Sequence, residues 1–166
     1  MEAMTSSGKA KVTLPADEQI LITREFDAPK HLVYEAYTTP GLVRRWWSGQ
    51  RGEVTSVEID PKVGGAWRYA MDVDCGAGEG FEAAFHGTYR EIVPNERLVT
   101  TEVYEGAPEG EALNTVTFAE EDGRTTLTIL MQLPSKEVRD AILETGMEIG
   151  MQEAMDLLEE VAASLR

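Results

Sequence analysis

The chain has 166 residues, of which 42% are hydrophobic, and its 30 acidic against 15 basic side chains give a formal net charge of −15. That is the length of one domain with a real core, and no apolar run approaches the roughly 18 residues of a membrane span. Clustered Lys and Arg for a phosphate backbone are missing, so the charge argues against nucleic acid as a partner. The opening residues lack an apolar signal core and the single cysteine, Cys75, excludes an internal disulfide framework, so a cytoplasmic location is expected.

Residues 1–16 mix Thr, Ser, Gly, Lys and Ala without period and end at Leu14-Pro15, which predicts a disordered leader followed by a single domain over 17–166. QILITREF, residues 19–26, alternates Ile20, Ile22, Arg24 and Phe26 against Leu21, Thr23 and Glu25, the period of a strand. Asp27-Ala28-Pro29 stops it. Asp27 can cap and Pro29 fits a first helical turn, so 29–37 forms a short helix with Leu32, Val33, Ala36 and Tyr37 on one face. Thr39-Pro40 opens a second short helix that runs through Trp46 and Trp47.

Six further strands follow, at 53–59, 65–73, 81–93, 97–104, 113–119 and 125–133, giving seven in all. The punctuation is that of hairpins: a turn over 60–64, another over 94–96, and Asp122-Gly123, the pair that type I′ turns favour. Gly64-Gly65 fits a turn or bulge in a strongly bent sheet, and 75–80 is a glycine-rich loop.

From Pro134 onward the chain is helical. Leu143, Met147, Gly150, Met151, Ala154, Leu158, Val161 and Leu165 fall on one side, while Glu153, Asp156, Glu159 and Glu160 fall away from it. Val138, Ile142 and Ile149 point elsewhere, and Thr145-Gly146-Met147-Glu148 has the form of a capping box, so a break is expected near Gly146. The fold class is therefore α+β: a seven-stranded curved antiparallel sheet wrapped around a long C-terminal helix, with two short helices after the first strand.

Chemical motifs are sparse. His31 and His86 are the only histidines and neither has a second ligand at metal spacing, so no metal site is expected. There is no G-x-S-x-G elbow or P-loop, and Gly76, Gly78 and Gly80 have the wrong spacing and context for a dinucleotide fingerprint, so no cofactor is expected. No catalytic residue is assigned. His86, on the strand FHGTYREI, can either project into a cavity as an acid or base or lie on the outer sheet face. Trp67, Tyr69 and Met71 alternate on one strand face, Trp46 and Trp47 end the second helix, and Met147, Gly150 and Met151 lie on the helix face turned to the sheet. With His86 they form the candidate ligand-binding set. An apolar wall with polar tips and adaptable Met suits a cavity, and an ordinary core uses the same residue types.

The segments FDAPKHLVYEAYTTPGLVRRWW, DPKVGGAWRYAM, FHGTYREIVPNERLVTT and ETGMEIGMQEAMDLLEEVA resemble the activator of heat-shock-protein-90 ATPase homologue-like family, within the SRPBCC or START-like group. The resemblance runs from about Gln19 to Leu165. It implies the helix-grip fold, with a cavity between sheet and helix that holds apolar or amphipathic small molecules in relatives. Three functions stand side by side on this basis. The first is binding of a small hydrophobic or amphipathic molecule; the second, by fold analogy alone, is a polyketide cyclase- or aromatase-like enzyme using His86 and Tyr69; the third is a co-chaperone-like interaction through the acidic surface. A homodimer and a chaperone partner stay open.

Overall fold

The computed structural model describes residues 10–48, 52–73 and 80–166. In chain order the elements are β1 (Lys11–Thr13), β2 (Gln19–Phe26), α1 (Lys30–Thr38), α2 (Pro40–Val43), β3 (Gly52–Ile59), β4 (Ala66–Val73), β5 (Phe81–Val93), β6 (Arg97–Tyr104), β7 (Ala112–Glu121), β8 (Arg124–Gln132), α3 (Lys136–Glu144) and α4 (Met147–Ser164). All strand pairs are antiparallel, in the order β1-β2-β8-β7-β6-β5-β4-β3. From β3 to β8 each strand pairs with the next, as short turns dictate. Asp122 and Gly123 both take positive φ, 55° and 79°, as the I′ turn between β7 and β8 requires. The chain order and antiparallel sheet expected of a helix grip are present.

The sheet has eight strands rather than seven, because the leader holds one of them. Lys11–Thr13 pairs with residues 21–23 of β2. Ala10 is buried, and its N–H and carbonyl are both taken by the Gln152 amide of α4 at 2.9 and 2.8 Å. The expected disordered leader over 1–16 is thus corrected for residues 10–13, and the domain begins before residue 17; residues 1–9 lie outside the described residues. Three polar-flanked residues give no period of their own, and their order comes from the edge of β2 and from α4.

Alternation on β2 buries Ile20, Ile22, Arg24 and Phe26 toward the helices. α1 presents Leu32, Val33 and Ala36 and packs against α4. Asp27 does not cap α1: Pro29 is its N-cap residue, with no side-chain bond, and the Asp27 N–H donates to Glu159 at 3.0 Å. The predicted second helix is regular only to Val43, then continues as turns that carry Trp46 and Trp47, with the Trp46 indole N–H donating to the Ala36 carbonyl at 2.9 Å.

The C-terminal helix breaks where expected. Gly146, at φ 78°, ends α3 and opens α4 in a left-handed conformation that a β-carbon disfavours. The capping box does not form: the Thr145 hydroxyl donates backward to the Ile142 carbonyl at 2.6 Å instead of capping α4. α4 buries Ala154, Met155, Leu158, Val161 and Ala162, and no residue ahead of Ala154. Among the described residues no helix is long and apolar enough to cross a membrane.

One charged group ties the two layers. Arg24 is fully buried on β2 and reaches Asp156 and Glu159 of α4 at 2.7 and 3.2 Å, with its guanidinium 5.1 Å from the Phe26 ring centre. Arg24→Met keeps the volume but removes the guanidinium from both carboxylates, leaving Glu159 the Asp27 N–H alone. Asp156 is half exposed and can rehydrate, so the expected cost is about 2–3 kcal/mol, at the level of charged hydrogen bonds, read as a fall in the thermal midpoint. An unchanged midpoint would show that the apolar stripe alone holds α4. Deleting residues 1–16 removes β1 and both Gln152 bonds, and is expected to cost about 1–3 kcal/mol. At roughly 2–4 °C per kcal/mol for a chain of this size, the midpoint should drop by several degrees; no drop would show that β1 adds nothing to the sheet.

Candidate functional site

The concave sheet face and the first turns of α4 line a half-open cavity of about 310 Å³. Its position follows from the distribution of side chains on α4. From Ala154 onward one face of that helix is buried, whereas Met147, Gly150 and Met151, in its first turns, remain partly exposed and line the space. A helix with Gly at this position and unbranched Met around it does not reach the sheet with bulk, and the gap persists.

Across the cavity, cross-strand rows supply the floor. Tyr89 of β5 pairs with Thr100 of β6, Thr100 with Asn114 of β7, and Asn114 with Met131 of β8, so these four side chains cross the sheet side by side. An apolar row of Leu98, Val116, Ile129 and Ile22 runs beside it. The wall is aromatic. Trp47 meets Tyr69 and Phe85 edge-on at 5.4 and 5.6 Å between ring centres, and Trp67 tilts against Tyr69 at 4.9 Å. These offset and edge contacts fix ring orientation beyond what burial alone would do.

Trp67 is anchored by a gap in the neighbouring strand. It lies opposite Gly87, and its indole N–H donates at 3.1 Å to the Thr101 carbonyl on β6, one strand further on. A β-carbon at Gly87 would stand 1.8 Å from that carbonyl oxygen and 2.8 Å from the indole nitrogen, so only glycine lets the ring cross β5. Thr101 also serves the junction, its hydroxyl accepting the Thr88 N–H at 2.9 Å.

Among the described residues that line the cavity there is one carboxyl group, Glu102. It accepts a hydrogen bond from the Asn114 side-chain amide at 2.7 Å, while the other amide atom, Oδ1, is buried with no partner. Burial pushes the Glu102 pKa up, opposed only by the Asn114 bond. Burial also raises the Tyr37 and Tyr69 phenols, with the Glu102 charge adding to both, and pushes Tyr89 up to about 12. The phenols therefore stay protonated at neutral pH and present neutral dipoles.

Of the nine residues expected from sequence to form the ligand set, Trp46, Trp47, Trp67, Tyr69, Met71, Met147, Gly150 and Met151 line this cavity. His86 does not, and its assignment to the cavity is corrected. On β5 the odd residues Phe85 and Tyr89 face inward, so His86 lies on the opposite face, exposed, with Nδ1 2.9 Å from Glu105. There Arg68 makes a two-pronged contact with the same carboxylate at 2.9 and 3.0 Å, and the hydrogen bonds from Arg68 and then His86 hold the Glu105 pKa down at about 2. The residues that sequence reasoning missed are Glu102 and Asn114. Their signal was parity, since Glu102 shares its strand face with Leu98, and Asn114 shares its own with Val116 and Phe118. Cys75 lies outside the described residues. Among the described residues no three His, Cys, Asp or Glu side chains converge as a metal site.

A family model described as Activator of Hsp90 ATPase homolog 1-like protein matches residues 27–163. The crystal structure of a protein from Rhodobacter sphaeroides superposes with a TM-score of 0.85 at 24% identity, covering 94% of this chain and 99% of that one. A solution structure from Arthrobacter aurescens gives 0.79 at 26% identity, over 93% and 91% of the two chains. A crystal structure from Chromobacterium violaceum gives 0.72 at 29%, over 87% and 97%. No curated protein matches the chain significantly. A match over most of the chain's length, on a sheet and helix shared from end to end with solved structures, shows that the chain belongs to the Activator of Hsp90 ATPase homolog 1-like family, of SRPBCC type.

Proposed function

We propose that the chain binds one small amphipathic molecule, with a flat or flexible apolar body, in the cavity between the sheet and α4. The observation that carries this reading is the space itself: tryptophans, tyrosines and methionines, facing an aliphatic row on the sheet, surround about 310 Å³ that a packed core would have filled. The volume is at the small end of the range for ligand pockets, which favours a compact ligand over a long lipid chain. Hydrophobic ligands are typical of the family, and that supports the same reading.

The two other readings lack a specific observation. An enzyme of the cyclase type would have used His86 and Tyr69 together, and these side chains lie on opposite faces of the sheet. A co-chaperone role rests on the acidic surface alone, which solubility explains equally well.

The test pairs wild type with Gly150→Leu, using N-phenylnaphthylamine, a neutral probe that fluoresces in apolar surroundings, together with native mass spectrometry of the purified protein. Wild type is expected to bind the probe. Gly150→Leu is expected to weaken binding at least tenfold while its thermal midpoint holds or rises, because leucine in a helix is favoured over glycine by about 0.8 kcal/mol and fills empty volume. No probe binding by wild type, together with a falling midpoint in the variant, would mean a filled interface and would overturn the proposal.

A further inference from the structure

The identity of the ligand's polar group can be argued from the one carboxyl group in the cavity. Glu102 sits on the concave face among Tyr37, Tyr69 and Asn114, and no Lys, Arg or His stands among the described residues lining the space. The groups facing it from the neighbouring elements are phenols and an amide. Tyr37 comes from α1, Tyr69 from β4, Tyr89 from β5 and Asn114 from β7, and none of them supplies positive charge. Elsewhere the chain does pair its buried charge: Arg24 has two carboxylates and Arg139 has Asp140 and the Ala16 carbonyl. Glu102 has a single amide donor, and the other end of that amide, Asn114 Oδ1, is a buried acceptor with no donor.

Glu102, with that one amide donor, thus lines a chamber walled by Trp47, Trp67, Tyr69 and Phe85. Aromatic faces attract an organic cation, and more strongly where water is excluded. A carboxylic ligand would place a second negative group beside Glu102 with nothing to compensate it, while a neutral alcohol could donate one bond and leave the carboxyl uncompensated. An ammonium group brings several donors and a positive charge to the Glu102 carboxylate at once. Burial pushes the Glu102 carboxyl pKa up, against the Asn114 bond, which is the direction expected of a carboxylate without a cation beside it.

Resting on the cavity reading above, we infer that the natural ligand is an amine: a small aromatic or apolar body carrying a protonated primary or secondary nitrogen, which enters the cavity with the nitrogen against Glu102. The negative field of the whole chain acts in the same direction by enriching cations near its surface.

The experiment titrates wild type and Glu102→Gln with three probes that share one ring system, naphthylmethylamine, naphthylmethanol and naphthoate, by calorimetry near neutral pH. Wild type is expected to bind the amine at least tenfold more tightly than the alcohol and to show no binding of the carboxylate. Glu102→Gln keeps the shape and removes the charge, so the amine's advantage is expected to collapse to about onefold while the alcohol's affinity stays within about threefold. An alcohol that binds wild type as well as the amine does, or an amine preference that survives Glu102→Gln, would overturn the inference and leave the cavity reading standing. Failure of all three probes to bind wild type would overturn both. Should Glu102→Gln not fold, the wild-type ratio of amine to alcohol still decides the matter.

Discussion

The cavity depends on the unequal attachment of one helix. From Ala154 onward α4 is packed into the core by Ala154, Met155, Leu158, Val161 and Ala162, and Arg24 holds it to β2 through Asp156 and Glu159. Ahead of Ala154, Gln152 ties the helix only to the backbone of Ala10, and there Met147, Gly150 and Met151 stand over open space. The break at Gly146 completes the arrangement, because α3 leaves in a new direction and does not extend the seal. A uniform apolar stripe along 18 residues would have closed the fold; the change from branched and buried to small and flexible part-way along the helix keeps it open. A buried arginine is a costly fastener, and replacing such groups with apolar ones is often neutral or stabilising, but this one fixes where along α4 the contact lies.

The sheet contributes the opposite property, rigidity with local chemistry. Its floor is built from strands paired on both sides, so Tyr89, Thr100, Asn114 and Glu102 are held by ladders rather than by loops. Placing a carboxyl group there is unfavourable in itself, and only a single amide bond offsets the desolvation. The fold tolerates this within a large apolar core that includes Phe26, Phe118, Leu98, Leu127 and Leu158. The strained point is local, and it sits where a ligand would be read.

The strands were legible because a half-buried antiparallel sheet prints its period on the sequence, and QILITREF and the Asp122-Gly123 turn are clear cases. The cavity wall was legible for the same reason, since Trp67, Tyr69 and Met71 share a face by parity alone. What failed had physical causes. The Lys11–Thr13 strand is too short to show a period and is ordered by the edge of β2, while Gln152, more than a hundred residues away in the chain, holds the Ala10 backbone just ahead of it. His86 was drawn to the cavity by its chemistry when its parity with Phe85 and Tyr89 excluded it. Glu102 was concealed by number: among 30 acidic side chains, a single inward one has no distinctive local pattern, and only its register with Leu98 and Thr100 reveals it.

Three tryptophans are present in the whole chain, and Trp46, Trp47 and Trp67 all border the same space. Two of the three indole N–H groups are already committed to backbone carbonyls, of Ala36 and Thr101, so these rings are held in place whether or not anything sits between them. The protein therefore has a built-in optical sensor. Its intrinsic ultraviolet emission originates at the cavity wall, with no tryptophan elsewhere to dilute it, and a guest that enters changes the polarity around every emitter at once. Occupancy can be followed in the unlabelled, unmodified chain.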